Sequence, residues 1–337
     1  MEKILTVVIP TYNMERYLRR CLNSLIIDDK ELFNKLEALV VNDGSKDSSS
    51  DIAHEYQDKY PNVFRVIDKE NGNYGSCVNR GLKEANGKYF RLLDADDMFV
   101  DGALKAFLNM ILSLSDEVDV ICTPYQVDYI ETEKKVIYRN TKIDYNSKLD
   151  LEHYVIPDLN YSDFAMHALS FNTSFVRGIG YVQQEGISYT DTEYVYYPFT
   201  LARSLIAFDI VLYNYIVGIS GQTMSIDSMI KNQSHYWKLL DRFLHDGKYK
   251  NGNINAIKIR RNIILALMKA VMDIYLLYSP YSRGKEKRIR ELLLSIKESD
   301  NQLFRQIILT RKKVVIFLYL IWYILGRTFF VVRKVIE

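Results

Sequence analysis

Short β-type runs alternate with amphipathic helical stretches through the first third of the chain. This alternation constrains the fold most, because it builds a parallel sheet covered by helices. Thr6 to Pro10 reads as a buried strand, and Leu18, Cys21, Leu22 and Leu25 then recur at helical spacing in a helix opened near Asn13. Ala38 to Val41 form a second strand, and a helix from near Asp47 buries Ile52, Ala53 and Tyr56. Val63 to Ile67 make a third strand and Tyr89 to Leu93 a fourth. The expected class is α/β, Rossmann-like, with a mainly parallel central sheet and a helical C-terminal region. In such sheets ligands bind beyond the carboxyl ends of the strands.

Polar residues stand at those ends each time: Thr11, Tyr12 and Asn13 after the first strand, Asn42 to Ser45 after the second, and Asp94, Ala95, Asp96 and Asp97 after the fourth. A single aspartate after a strand is most often a helix cap. Three acids in four positions repel and raise one another's pKa unless a cation is supplied, and Mg²⁺ or Mn²⁺ answers that need with carboxylate and phosphate oxygens. The preceding segment, Asn71 to Gly81, is rich in glycine and amides, which suits close backbone approach to a ligand. It matches neither a dinucleotide fingerprint nor a P-loop, so both classes are disfavoured. A nucleotidyltransferase would also use clustered acids, but the chain lacks a Gly-rich, basic loop directly after the first strand. Cys21, Cys77 and Cys122 are too few and scattered for a disulfide framework, and the five histidines show no metal-ligand spacing.

Four pieces in order, TVVIPTYN at 6–13, VVNDGSKDSS at 40–49, ENGNYGSCVNRGLKEANGKYFRLLDADD at 70–97 and YTDTEYVYYP at 189–198, resemble the family 2 inverting glycosyltransferases of the GT-A fold, of the bacterial polysaccharide-assembly type. The resemblance covers about residues 4–225. It implies a UDP-sugar donor contacted by Pro10, Thr11, Tyr12, Asn13, Asp43, Asn73, Gly75, Asn79, Asp94 and Ala95, with Mn²⁺ or Mg²⁺ on Asp96 and Asp97 adjacent. It implies Asp191 as the general base that deprotonates an acceptor hydroxyl. Val78 stands where the family often has arginine, which leaves diphosphate contact to Arg80, Lys83 or a later loop around Gln222. Thr190 replaces the usual glutamate, which makes Glu193 a rival for the base. A catalytically degenerate sugar-binding member is the alternative, and the intact acids speak against it.

The expected domains are 1–225, catalytic, with a nucleotide-sugar half at 1–123 and an acceptor half at 124–225, and a basic helical region at 226–337. The formal net charge of +2 conceals an acidic first part and a strongly basic last third. Helical stripes run through Ile263, Leu267, Ala270, Val271 and Ile274, and through Ile289, Leu292, Leu293 and Ile296. The apolar run Val314 to Leu325 is about 18 Å long as a helix, short of a hydrocarbon core about 30 Å thick. Segment 314–332 therefore reads as lying on an anionic membrane surface or forming a homo-oligomer interface. The first residues are too short an apolar run, and too acidic at Glu2, for a secretory signal. These features imply a cytoplasmic protein on the inner face of the cell membrane, a glycan or lipid-linked glycan acceptor, and no nucleic-acid partner. No Q-x-x-R-W motif is present, so one sugar per encounter is expected.

Overall fold

The computed structural model describes residues 2–159, 163–219, 226–247, 252–277 and 282–308. They divide into two compact units, residues 1–220 with 251–257, and 221–250 with 258–337. The first unit opens with β1 (Leu5–Thr11), α1 (Glu15–Asn23), α2 (Lys30–Phe33), β2 (Leu36–Asn42), α3 (Ser49–Lys59), β3 (Phe64–Asp68), α4 (Asn73–Glu84), β4 (Tyr89–Leu92), β5 (Met98–Phe99) and α5 (Ala103–Leu112). It continues through β6 (Val120–Cys122), β7 (Tyr125–Tyr129), β8 (Lys134–Tyr138), β9 (Lys148–Asp150), β10 (Leu169–Asn172), α6 (Thr173–Gly178), α7 (Asp191–Leu201), β11 (Ser204–Ala207) and β12 (Tyr213–Val217).

The large sheet runs β3-β2-β1-β4-β10-β6-β11-β9. Strands β3, β2, β1 and β4 are parallel, and β10 enters antiparallel between β4 and β6. Every residue of β1 and β2 is buried, as continuous Val/Ile/Leu runs covered on both faces require. Inside this layer Glu37 is satisfied by Thr6 Oγ1 at 2.6 Å and by the backbone and side-chain amides of Asn86, each at 2.7 Å. That network closes the edge at which the parallel strands begin, leaving the opposite edge for a ligand. A second sheet, β5-β12-β7-β8, lies beyond β4 in the chain; β12 and β7 are parallel, and β8 pairs antiparallel with β7.

The expected α/β class with its mainly parallel centre is present. Helix α1 starts at Glu15 rather than Asn13, and Leu25, though buried, lies past its end. The apolar stripe outlives the helix because the next turn still faces the core. In the second unit the described elements are helices: α8 (Ile226–Lys231), α9 (Gln233–His245), the larger part of α10 (Ile254–Leu277) and α11 (Arg283–Ser299). Arg260 ties α10 to α9 by donating to the Phe243 carbonyl at 2.8 Å. None of the described helices is long and apolar enough to cross a membrane. Gln222 and segment 314–332 lie outside the described residues.

Candidate active site

Three loops meet at the carboxyl edge of the parallel strands and are tied together by side chains. Asn13 adopts a left-handed φ of 55°, which asparagine tolerates better than most residues. Its backbone N–H donates to Ser45 Oγ at 3.0 Å, and its side-chain oxygen accepts from Lys46 N at 2.7 Å. Asp43 donates from its backbone to Thr11 O at 2.8 Å. The Asp43 carboxylate is nearly buried, pairs with Lys69 and accepts the Gly72 N–H at 2.9 Å, which draws in the third loop. Asn73, also left-handed, opens α4 there. Thr11 and Pro10 are buried in β1, whereas Tyr12, 45% exposed, forms the rim.

The acidic turn follows β4. Asp97 is fully buried: its carboxylate accepts Tyr213 Oη at 2.6 Å and Ile216 N at 2.8 Å, clamping β12 to the turn. Asp94 is partly exposed and accepts the Tyr74 hydroxyl at 2.8 Å. Ala95 is buried between them, and the Asp96 carbonyl accepts Arg20 Nη2 at 2.6 Å while its side chain stays partly exposed. Burial, then the charge of Asp96, pushes Asp94 up to about 7. Burial also raises Asp96, and it raises Asp97 further with help from Asp94 and Asp96.

His167, in a 3₁₀ turn (Met166–Ala168), completes the cluster, and no sequence spacing foretold it. Buried Arg91 of β4 donates to its carbonyl and so fixes the turn. Donor atoms of Asp94, Asp97 and His167 lie within 4.8 Å of one another. Burial, then Arg91, holds the imidazole neutral down to about 3, and its buried Nδ1 has no hydrogen-bond partner among the described residues. Neutral imidazole beside crowded carboxylates is a donor set that suits a divalent cation. Asp96, the expected ligand, is on the same turn but outside that group, whereas both Asp97 oxygens are already engaged by protein.

Asp191 begins α7 and is partly exposed; Thr190 occupies the cap position without a capping side-chain bond. Burial raises the Asp191 carboxyl against the backbone amides of Thr192 and Asp191, which lower it. Its charge in turn helps raise Asp94 and Tyr74, so the three share one field. Glu193, the expected rival, is completely buried and accepts Gln184 N at 2.8 Å. It therefore positions the loop before α7 and is out of reach of an acceptor.

Four further expectations change with the structure. A Cβ on Gly75 would meet Gln184 O at 1.9 Å, so the close approach is to protein. Asn79 likewise spends its amide on the loop: Nδ2 donates to Gln183 O at 2.9 Å and Oδ1 accepts Gln183 N at 2.9 Å. Gln183 then donates to Thr190 Oγ1 at 2.7 Å, so α4 positions the start of α7. Arg80 pairs with Glu84 at 3.0 Å; Glu84 also binds Arg65, which reaches Glu37 at the start of β2. With a rise of about 1.5 Å per residue, α4 carries Arg80 and exposed Lys83 away from the ligand edge. Neither is placed to meet a diphosphate there. Sequence reasoning missed Tyr74, although it sits inside the amide-rich segment already singled out.

Residues 6–175 match the family model described as Glycosyl transferase family 2. The chain is 34% identical over 154 residues to the minor teichoic acid biosynthesis protein GgaB of Bacillus subtilis (strain 168), covering 45% of this chain and 17% of GgaB. It is 34% identical over 129 residues to the putative glycosyltransferase EpsH of the same organism, covering 38% of this chain and 36% of EpsH. The matched stretch is thus well under half the length of either relative. Among solved structures, S. aureus TarS 1-349 in complex with UDP-GlcNAc superposes with a TM-score of 0.65 at 17% identity, over 89% of this chain and 82% of that one. The mannosyltransferase PcManGT of Pyrobaculum calidifontis, in complex with GDP-Man and Mn²⁺, gives 0.52 at 14% identity, over 91% and 86%. These likenesses carry the GT-A-like fold. With the family model covering half the chain on top of that fold, the chain belongs to glycosyl transferase family 2.

Proposed function

We propose that the protein is an inverting glycosyltransferase that moves one sugar from a nucleotide diphosphate sugar, a UDP-sugar, to a hydroxyl of a glycan or lipid-linked glycan. The observation that carries this reading is the placement of Asp191: partly exposed, at the start of α7, in the electrostatic field of Asp94. The uridine end of the donor lies against Thr11, Tyr12, Asn13 and Asp43, and its ribose and diphosphate against Asp94 and Ala95. Asp96 and Asp94 hold the divalent cation, with the His167 imidazole beside them; when bound, Mn²⁺ or Mg²⁺ neutralises charge developing on the diphosphate. Asp191 takes the acceptor's proton as its oxygen attacks the anomeric carbon. The bond from that carbon to the diphosphate oxygen breaks, and its electron pair leaves on the nucleoside diphosphate. A carboxyl raised by burial is the stronger base for this step.

The relatives' names favour the same chemistry: GgaB is a teichoic acid biosynthesis protein, TarS was solved with UDP-GlcNAc and PcManGT with GDP-Man and Mn²⁺. The basic last third and apolar segment 314–332 support attachment to the anionic inner face of the cell membrane, where a lipid-linked acceptor resides. Self-association through the same segment is the competing use.

The test is a panel of UDP- and GDP-sugars with and without Mn²⁺, reading release of nucleoside diphosphate. Asp191→Asn is expected to lose transfer by about a hundredfold or more while still binding UDP. Equal activity of the variant removes Asp191 from this role, and formation of a nucleoside triphosphate and a sugar 1-phosphate only when pyrophosphate is added, in place of nucleoside diphosphate release, overturns the reaction class.

A further inference from the structure

Four rings stand in line beside the acidic turn. Tyr215 stacks on His167 with centroids 4.5 Å apart and planes at 21°. His167 meets Tyr125 at 5.3 Å and 36°, and Tyr125 stacks on Tyr138 at 5.2 Å and 9°. Strand register imposes the line. Tyr125 pairs across to Tyr138 on β8 and to Tyr213 on β12, so these side chains share one face of the second sheet, and Tyr215, two residues on from Tyr213, joins them. His167 fills the space above that face and touches Tyr213 as well, at 4.8 Å.

The two ends of the column differ. At the inner end, burial and then the charges of Asp97, Asp94, Asp96 and Asp191 lift the Tyr215 phenol to about 12, so it remains a protonated donor at neutral pH. Among the described residues its hydroxyl has no hydrogen-bond partner. At the outer end Tyr138, on an edge strand, is 41% exposed, with its hydroxyl 3.3 Å from that of Tyr129. Within the column the stacked faces are spent on one another, so the ring surface left for a ligand is that of the two end rings, partly exposed Tyr215 beside the acids and Tyr138 in solvent, with the unused Tyr215 hydroxyl at the inner end.

That combination matches a pyranose. One face of such a ring presents C–H groups, which the negative face of an aromatic ring attracts, while its equatorial hydroxyls seek donors and acceptors around the edge. An open-chain polyol has no flat C–H face to offer. We propose that the Tyr215–His167–Tyr125–Tyr138 column is the acceptor subsite and that the unit it receives is a pyranose ring. Tyr215 holds the ring's hydroxyls beside Asp191, and Tyr138 supports the part of the acceptor that leads outward. This assignment rests on the transfer reading above and names the acceptor class for that site.

Saturation-transfer NMR on the full chain with UDP and Mn²⁺ tests it. The probes are methyl β-D-glucopyranoside, methyl β-D-galactopyranoside and methyl N-acetyl-β-D-glucosaminide, with ribitol as the open-chain comparison. At least one glycoside is expected to receive saturation on its ring protons. Loss of a stacking contact worth about 1 kcal/mol should cut that signal about fivefold in Tyr138→Ala, and Tyr138→Phe should restore it. The proposal is overturned if no glycoside receives saturation, if Tyr138→Ala matches the parent, or if ribitol gives the Tyr138-dependent signal instead. Release of UDP from UDP-sugars by the parent is measured alongside. Its absence sinks the transfer reading, whereas its presence with a negative NMR result sinks the subsite alone.

Discussion

Truncating Asn79 to alanine separates a residue that positions the site from one that touches the donor. In the structure Asn79 donates to Gln183 O and accepts from Gln183 N, each at 2.9 Å, and donates to the exposed Glu185 carboxylate at 2.8 Å. Each of the two backbone bonds contributes about 1 kcal/mol, and the exposed third adds at most a few tenths. Opening of the 183–185 loop should therefore become easier by about 2 kcal/mol, which is roughly a 30-fold faster exchange of the Gln183 amide. Hydrogen exchange on the full chain reads this directly. Because Gln183 also holds Thr190, the turn that presents Asp191 loosens with it, so the turnover number falls while the donor KM changes little. An unchanged Gln183 exchange rate together with a roughly tenfold rise in donor KM would refute this reasoning, since that pattern belongs to a direct contact with the donor.

Arg80→Gln and Lys83→Gln, at the far end of α4, should each leave the donor KM within about twofold of the parent, a span of a few tenths of a kcal/mol; a tenfold rise in either would put them back at the diphosphate. Tyr213→Phe strips a buried partner from Asp97 Oδ2 and from the Asp94 amide. That costs about 1–3 kcal/mol, seen as at least about fivefold faster exchange of the Ile216 amide, and unchanged exchange would show that the clamp on β12 lies elsewhere. His167, neutral in the folded chain down to about 3, takes up a proton more readily when unfolded. Its contribution is whole above the ordinary histidine pKa, about 6.5, and is lost as pH falls toward 3. Metal-free His167→Gln should therefore lose less thermal stability than the parent between about pH 6.5 and 4, and parallel pH profiles would rule this out.

The parallel half of the large sheet was legible because β1 and β2 are unbroken apolar runs, buried on both faces, and because polar residues start where each run stops. The second sheet left a fainter mark: the run Val211 to Val217 reads as a strand and contains β12 (Tyr213–Val217), but its neighbours do not announce themselves. Strand β5 is two residues long, and β8 is largely exposed, so neither the length nor the alternation that announces a strand is present. His167 could not be found by spacing, since a 3₁₀ turn far along the chain and the buried Arg91 bring it to the acids. Gly75 and Asn79 were singled out for a sound reason, close approach and amide chemistry. A sequence does not say, however, whether the carbonyl they approach belongs to a ligand or to Gln183 and Gln184.

The acidic turn shows why this edge is built for a charged ligand and not merely for helix capping. Among the described residues, Arg20 is the cation bonded to the turn, and it reaches the Asp96 carbonyl rather than a carboxylate. The Asp97 carboxylate is answered by one hydroxyl and one amide, and Asp94 by the hydroxyl of Tyr74. Neutral donors orient these groups without cancelling their charge, so the burial, and after it the repulsion by Asp96, that lift Asp94 to about 7 are retained in the fold. Elsewhere in the same unit the fold does cancel such charge: Asp43 is paired with Lys69, and Glu84 with Arg65 and Arg80. Strain kept at one place while relieved at others is a mark of function. On the proposed transfer, a cation arriving with a diphosphate would relieve the repulsion of these carboxylates, so that donor binding and relief of the site's own electrostatic cost would become one event.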